Sequence, residues 1–486
     1  MANPRFKVPD TALILATIVV AAAVLTWIVP PGTYDRTEMT VAGVGAREVV
    51  VPGTFRVLAA ENRSLFDALL HSAGMVFKAP MLGLTDPEAA PIVAFVLLIG
   101  GTFAVLQRTG AIDAALRRLV QASRRSPTLE FLLLPLFITL FSLGGAVFGM
   151  AEETVPFVLI FVPLALALGY DSITGAAIPF VGSSAGFAAA FFNPFTVGVA
   201  QGIAGLPPFS GAGFRAGLWL VCTGVVIAFV MWHARRVRRD PTKSPTYATD
   251  EIKRLESLEI TDIEAPFTGR HRVVLAIFAL GIAVLVWGVL PVTQGGFGWY
   301  IIEIAALFVA LGVVVGAVGG LGGNGTAAAF MDGVRQLAAT AVLIGLARGI
   351  LIVLQDGKVI DTILHALASS LEGTTAATAA MAMFAAQTAI NLFVVSGSGQ
   401  AALTMPLMAP LADLVGVTRQ TAVLAFQMGD GFTNMIIPTN AVLMGVIALA
   451  GVPWTQWARW VLPLQVVLFV IGLMALFVAV SVGYGR

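Results

Sequence analysis

The chain has 486 residues, of which 58% are hydrophobic and only 11% charged, with a formal net charge of +1. A water-soluble protein of this length needs far more charge on its surface, and so balanced a charge gives no electrostatic case for a nucleic-acid partner. The single cysteine, Cys222, excludes an intramolecular disulfide framework, and no Cys/His cluster has metal-ligand spacing.

From the N-terminus onward, apolar segments of about 20 residues recur, each long enough to cross roughly 30 Å of hydrocarbon. The first, "TALILATIVVAAAVLTWIV", is too long for a signal-peptide core and lacks a small-residue cleavage site, so it reads as a retained helix over 11–29. In the loop that follows, "REVVVPGTFRVL" alternates enough to form a small hairpin. Further spans are expected at 89–107, 174–204, 213–232, 272–290, 299–318, 338–355, 421–449 and 459–481, with tryptophans at their ends as an aromatic belt requires. "SLFDALLHSAGMVFKA", "AIDAALRRLV", "TAAAFMDGVRQLAAT" and "VIDTILHALA" have the amphipathic pattern of helices lying in the interface.

Lys and Arg collect in "LRRLVQASRRSP" and "HARRVRRDPTKSPTYATDEIKRLE", which the positive-inside rule places in the cytoplasm together with the N-terminus. This threading suits a bacterial inner membrane and leaves the C-terminus periplasmic or extracellular. It works only if 128–169 enters and leaves on the cytoplasmic face, as a re-entrant hairpin with the polar tip "GMAEET". Residues 376–416 repeat the pattern around "SGSGQ". Irregular backbone at this depth is tolerated only where it is buried in protein or lines a wet cavity.

The two halves superpose at one constant offset, which carries Glu153 to Gln400, Pro163 to Pro410, Gly169 to Gly416, Thr174 to Thr421, Gly182 to Gly429, Asn193 to Asn440 and Gly198 to Gly445. One span precedes the repeated part in the first half and two precede it in the second, so the repeats are inverted. The expected fold is an all-α polytopic membrane protein. Its first half, 1–234, holds a hairpin at 128–169 and a broken helix at 174–204; a cytoplasmic linker covers 235–271; its second half, 272–486, holds a hairpin at 376–416 and a broken helix at 421–449. Such paired breaks are the mark of secondary transporters, with the substrate held between them near the midplane.

The breaks themselves are "GSSAGFAAAFFNPFT" and "GDGFTNMIIPTN", where Pro194 and Pro438 remove backbone donors. Glu152 and Glu153 are adjacent acids at the first hairpin tip, and acids at membrane depth mark ion paths, proton relays or substrate contacts; the bland alternative is a tip that reaches interfacial water. Asp430 is a similar candidate, with half-helix capping as its alternative role. Asn193 and Asn440 are related by the repeat, and either bind ligand or satisfy local backbone. Ser396, Ser398 and Gln400 at the second tip, together with Thr154, Thr196, Asn434 and Thr439, complete the candidate substrate or ion site. Arg348 meets a substrate carboxylate, pairs with Glu303, or snorkels along the scaffold. Gln387 and Asn391 read as helix–helix glue. The four histidines fall in predicted loops or interfacial helices, which disfavours a histidine relay in the core.

"KVPDTALILATIVVAAAVLTWIVPPGTYDR", "FVLLIGGTFAVLQRTGAID", "FGMAEETVPFV", "LALALGYDSITGAAI", "NPFTVGVAQGIAGLP" and "GFTNMIIPTNAVLMGVIALAGVPW" resemble the YfcC-like basic amino-acid antiporters, grouped with the C4-dicarboxylate anaerobic carriers of the ion transporter superfamily. The resemblance spans nearly the whole chain. It implies a homodimer with scaffold and transport domains, each discontinuous in sequence, that works by an elevator mechanism. The sodium-dicarboxylate members of that superfamily carry Ser-Asn-Thr at both tips, and here the tips read "AEET" and "SGSGQ".

No Lys or Arg lies within either hairpin or break, whereas Glu152, Glu153 and Asp430 do. The expected activity is therefore secondary transport of basic or zwitterionic amino acids, by exchange or coupled to protons. The alternative is a C4-dicarboxylate or other carboxylate carrier coupled to sodium or protons; a channel is a third reading. Partners are a small-molecule substrate and the lipid bilayer. No cofactor is implied beyond a coupling proton or sodium ion. No nucleophile with its base appears, as an enzyme would need, and no phosphate-binding loop, as a pump would need.

Overall fold

The computed structural model describes residues 11–41, 45–59, 65–87, 89–261, 267–289, 296–299, 301–370 and 374–485. The chain begins with helix α1 (Thr11–Ile28) and four short strands, β1 (Gly32–Thr33), β2 (Arg36–Val41), β3 (Gly45–Val50) and β4 (Arg56–Val57). Helices α2 (Leu65–Thr85), α3 (Ala89–Arg108) and α4 (Ala111–Arg125) follow. Next come α5 (Pro127–Phe148), a 3-10 turn at Glu152–Phe157, and α6 (Val158–Ala167). Helix α7 (Ser172–Ala188) stops short; the chain resumes as a π turn at Pro194–Gly198 and α8 (Val199–Ile203). Helices α9 (Ala212–Arg239) and α10 (Tyr247–Thr261) close the first half of the sequence.

The second half opens with α11 (Gly269–Val289), α12 (Ile301–Gly319), α13 (Gly322–Asp356) and α14 (Ile360–Ser369). Helices α15 (Ala376–Asn391) and α16 (Gly397–Leu414) flank the "SGSGQ" turn. Helix α17 (Arg419–Thr433) stops at another interruption, before α18 (Ala441–Ala450) and the last helix, α19 (Trp454–Ser481). Among the described residues, six helical stretches are long and apolar enough to cross a membrane: α3, α5 from Phe131, α9, α12, α13 and α19.

Packing centres on three helices. Helix α13 lies against α1, α2, α3 and α12, while α7 lies against α5, α6 and α9, and α17 against α15, α16 and α19. The interrupted helices α7 and α17 also touch, at a crossing so close that a Cβ on Gly431 would overlap Ala188. Gln427 of α17 donates to the Phe187 carbonyl at the same level, so both helices stop where they cross.

Glycine sets the other close contacts. A Cβ on Gly186 would overlap the Ser142 carbonyl of α5, and one on Gly145 the Ser183 carbonyl of α7. Both obstacles are backbone, which cannot swing aside. Gly186→Val is expected to cost more than about 3 kcal/mol, at or beyond the usual overpacking range, and to abolish the monodisperse peak in fluorescence-detected size exclusion.

Three expectations are corrected. The segment "TAAAFMDGVRQLAAT" is not a separate interfacial helix: it continues into the 338–355 span as one 35-residue helix, α13. Its glycines do not break it because Gly333 and Gly345 fit against Gly100 of α3 and Leu84 of α2, where side chains would clash. "REVVVPGTFRVL" does not fold on itself; β3 pairs with β2 from Arg36↔Val50 to Val41↔Gly45, and β4 pairs with β1. Pro52, which has no N–H, lies two residues past the end of β3 and stands between it and β4. His233 is not in a loop: it is buried in α9 and lies 2.9 Å from Asp171 Oδ2, a pairing between residues 62 positions apart.

That pairing belongs to a polar clasp built by the linker. Asp171 caps α7 by accepting from Thr174 N at 2.9 Å, and it also accepts from Ser244 Oγ at 2.7 Å. Asp250 of α10, itself buried, accepts from Ser172 N at 2.9 Å and Thr246 Oγ1 at 2.6 Å. One turn on, Lys253 donates to Ser172 Oγ at 2.8 Å and to the Ala450 carbonyl at 2.6 Å. An acid thus sits at the N-terminus of α7 and a base at the C-terminus of α18, each matched to the helix dipole it meets.

Asp250→Ala would leave Ser172 N and the Thr246 hydroxyl without their acceptor. A loss of ~2–4 kcal/mol is expected, read as a lower Tm of the detergent-purified protein. Burial alone would raise the Asp171 carboxyl, but hydrogen bonds from His233, Thr174 and Ser244 hold it below its ordinary value. A depressed carboxylate contributes stability that is present above its unfolded pKa of about 3.9 and lost as pH falls through its folded value.

Candidate functional site

The tips and interruptions are held by side chains before any ligand is considered. At the first tip, Gly149 takes a positive φ of 74°, and the Met150 carbonyl accepts from Ser183 Oγ of α7. Glu153 Oε2 accepts from Ala151 N at 2.9 Å, and Thr154 Oγ1 donates to the Ala151 carbonyl at 2.6 Å. The 3-10 turn is thereby fixed, with Glu152 half-buried and Glu153 buried.

The second tip is organised differently. Ser396 caps α16 by accepting from Gly399 N at 3.3 Å. Gln400 Nε2 donates to the Gln387 carbonyl at 2.9 Å and to its side-chain oxygen at 2.8 Å, tying α16 to α15. Asn391 Nδ2, at the end of α15, donates to the Asp430 carbonyl, Thr433 Oγ1 and Asn434 Oδ1 at 2.7–2.9 Å. The tip and the end of α17 are therefore one hydrogen-bonded unit.

At the interruptions the two asparagines do the same work. Asn193 Oδ1 accepts from Phe195 N and Thr196 N at 2.9 and 3.3 Å. Asn440 Oδ1 accepts from Val442 N and Leu443 N at 2.8 and 3.1 Å. Each caps the half-helix that follows it. The Asn193 amide nitrogen has no hydrogen-bond partner, and Asn440 Nδ2 donates to the Asn434 carbonyl at 3.3 Å.

These elements converge on a cavity of about 360 Å³. Glu152 and Glu153 reach it from the first tip, Ser396 and Ser398 from the second, and Thr196, Asn434, Thr439 and Asn440 from the interruptions. Thr154, Asn193, Gln400 and Asp430 are buried and do not line it; of these, Thr154 and Asn193 hydrogen-bond the backbone of residues that do. Phe187, Phe195, Phe393 and Ile344 give the cavity its apolar surface. A second cavity of about 560 Å³ adjoins it, sharing Arg348, Leu351, Ser396 and Ser398, and extends past Arg36, Glu48, Lys358 and Asp361 beneath the short strands.

The sequence reading of a site with acids and no bases is corrected by Arg348. It comes from α13 rather than from a tip or break, and it lines both cavities. Its Nε lies 2.8 Å from Asp86 Oδ1, with both side chains about six-sevenths buried. An arginine in the middle of an apolar span was the available signal, but which face it occupies is decided by how α13 packs. Asp86 carried no signal, lying in a connection between α2 and α3.

The fold and its buried polar cavity define a multi-pass membrane protein built of helices. The chain belongs to the C4-dicarboxylate anaerobic carrier (DcuC) family, whose profile matches residues 8–481. It is 38% identical over 505 aligned positions to the Escherichia coli (strain K12) protein named "Putative basic amino acid antiporter YfcC", covering 99% of this chain and 98% of that one. An uncharacterized protein of Haemophilus influenzae is 32% identical, covering 98% and 97%. Among solved structures, the Alcanivorax borkumensis YdaH transporter aligns over 98% of this chain and 99% of that one at 17% identity with a TM-score of 0.44, too distant to carry an argument.

Proposed function

We propose that this protein is a secondary active transporter of the bacterial inner membrane for basic or zwitterionic amino acids, operating by exchange or proton coupling. The observation that carries this reading is the charge balance of the 360 Å³ cavity. Arg348 is already met by Asp86, whereas no ion pair to Glu152 or Glu153 occurs among the described residues. The uncompensated charge facing a ligand is negative, and a buried charge without a partner is costly. A cationic side chain or amine placed against the glutamates relieves that cost, and the Arg348 guanidinium lines the same cavity, where a ligand carboxylate can approach it.

The inverted repeat is supported by the caps. Asp171 caps α7 and Thr418 caps α17, Asn193 and Asn440 cap the following half-helices, and the two pairs share the offset seen in the sequence. We take α5–α8 and α15–α18, with their tips, as the moving transport part and α13 with α1–α3 as the scaffold of a homodimeric elevator. In this reading the N-terminus is cytoplasmic and the C-terminus periplasmic.

A carboxylate carrier is the second reading. It is favoured by Arg348 together with Arg36 and Lys358 in the adjoining cavity and by the family's description. Thermal shift of the purified protein with arginine, ornithine, succinate and a neutral amino acid separates the two. Stabilisation by arginine and ornithine above the neutral amino acid supports the first, and stabilisation by succinate alone supports the second.

A further inference from the structure

Where α4 meets the start of α11, positive charge gathers around one aromatic ring. The Arg118 guanidinium of α4 stands 4.5 Å from the centroid of Phe267, and that of Arg272 of α11 stands 5.9 Å from the same centroid. The His271 ring meets Phe267 edge-on at 6.2 Å. Arg270 lies over the turn that follows α12, where a Cβ on Gly320 would overlap its guanidinium. All three arginines are exposed, and no ion pair to any of them occurs among the described residues. Asp332 of α13 is already shared by Arg108 at 3.5 Å and Arg335 at 2.7 Å.

The local fold explains why the charge collects here. Ala111 and Ile112 of α4 are buried with Leu106 of α3, Val274 of α11 and Val315 of α12, which lays α4 across the ends of three helices and leaves Arg118 and Arg125 exposed. Thr268 Oγ1 accepts from His271 N at 3.3 Å, so Phe267 is held just ahead of the first turn of α11. Arg270 and Arg272 fall in that turn, where the helix dipole is already positive. Sharing a ring face or edge leaves two like charges unneutralised; an anion would neutralise them. Further along the two helices the exposed surface is apolar. Val273 and Leu280 of α11 are seven residues apart, and Val314 and Val318 of α12 are four apart, so each pair lies on one face of its helix.

We propose that Arg118 and Arg272 clamp the phosphate of an anionic phospholipid beside the Phe267 ring, with its acyl chains on the apolar strip of α11 and α12. Guanidiniums hold phosphate oxygens through paired hydrogen bonds, and unmet basic charge at a membrane surface attracts headgroups of net negative charge. The apolar strip favours a lipid over free phosphate, since a soluble anion gains nothing from it. Helix α4 joins α3 to α5, so the lipid would fix the connection between scaffold and moving part to α11. That purpose rests on the carrier reading; the binding does not.

The test uses the full chain in detergent, washed free of native lipid and without substrate, titrated separately with dioleoylphosphatidylglycerol, dioleoylphosphatidylcholine and inorganic phosphate. Tm is expected to rise saturably with phosphatidylglycerol and not with the other two. Arg118→Gln should raise the half-saturating amount of phosphatidylglycerol about fivefold, and Arg118→Gln with Arg272→Gln at least about tenfold; the single variant decides the matter if the double one does not fold. Arg335→Gln, which removes an exposed base held by Asp332, should respond as wild type does. No rise with phosphatidylglycerol, an equal rise with phosphatidylcholine or inorganic phosphate, a response unchanged in the Arg118 and Arg272 variants, or one weakened as much by Arg335→Gln would overturn the proposal.

Discussion

Proteoliposomes carrying Glu153→Gln should exchange a cationic amino acid about 100-fold more slowly than wild type, the loss expected when one partner of a desolvated charge pair is removed. Gln has the shape of Glu, and its side-chain oxygen can still accept from Ala151 N, the bond that holds the tip turn. The change therefore removes charge with little effect on geometry, and Tm should hold or rise because an uncompensated buried acid has been neutralised. Glu152→Gln should be weaker, about tenfold, because Glu152 is less buried and better screened, and the double substitution should silence exchange. Neutral amino acids serve as the control. If the Glu153 variant lost transport of a neutral and a cationic substrate equally, the acid would be acting on the tip and not on the ligand.

Arg348→Gln should show its effect as a ratio. The substitution removes the cationic partner of Asp86 in a largely buried position, so some loss of stability is expected, about 3 kcal/mol if the site were dry and less because both side chains keep some exposure. Stability alone would lower binding of all ligands together. If Arg348 holds the substrate carboxylate, arginine should weaken at least about tenfold relative to agmatine, which has the same guanidinium but no carboxylate. Equilibrium binding of the two to one preparation gives the ratio, and Arg348→Lys should restore it only in part, since an ammonium cannot grip a carboxylate with two parallel bonds.

The sequence exposes local features and conceals pairings. Pro194, Asn193, Pro438 and Asn440 mark where helices must stop, because a missing N–H and a capping amide act within a few residues of themselves. The ends of α7 at Ala188 and of α17 at Thr433 lie within the stretches those residues mark. The alternative raised for the asparagines, satisfying local backbone, is what their side-chain oxygens do. Arg348 was visible as a misfit in an apolar span, but its arrival beside Glu152 and Ser396 depends on how α13 rotates against α2 and α3, a matter of glycine contacts such as Gly83 with Gly345.

The linker clasp was concealed more completely. Asp250 and Lys253 read as part of a charged cytoplasmic run, the usual pattern of a solvated face. Their partners, Ser172 and Ala450, are 78 and 197 residues away, and nothing in the local pattern announces them. The same holds for Asp430: the sequence marks it as an acid between two glycines, but only packing shows that its carboxylate is fully buried beside Gly397 of the second tip.

The measurement that bears most directly on the account is counterflow in proteoliposomes: uptake of radiolabelled arginine driven by internal ornithine, with succinate and a neutral amino acid as external competitors. Arginine should accumulate transiently above equilibrium, resist competition by succinate, and slow about 100-fold with Glu153→Gln. Succinate counterflow without arginine exchange would contradict the account and assign the cavity, with Arg348 as its anchor, to a dicarboxylate.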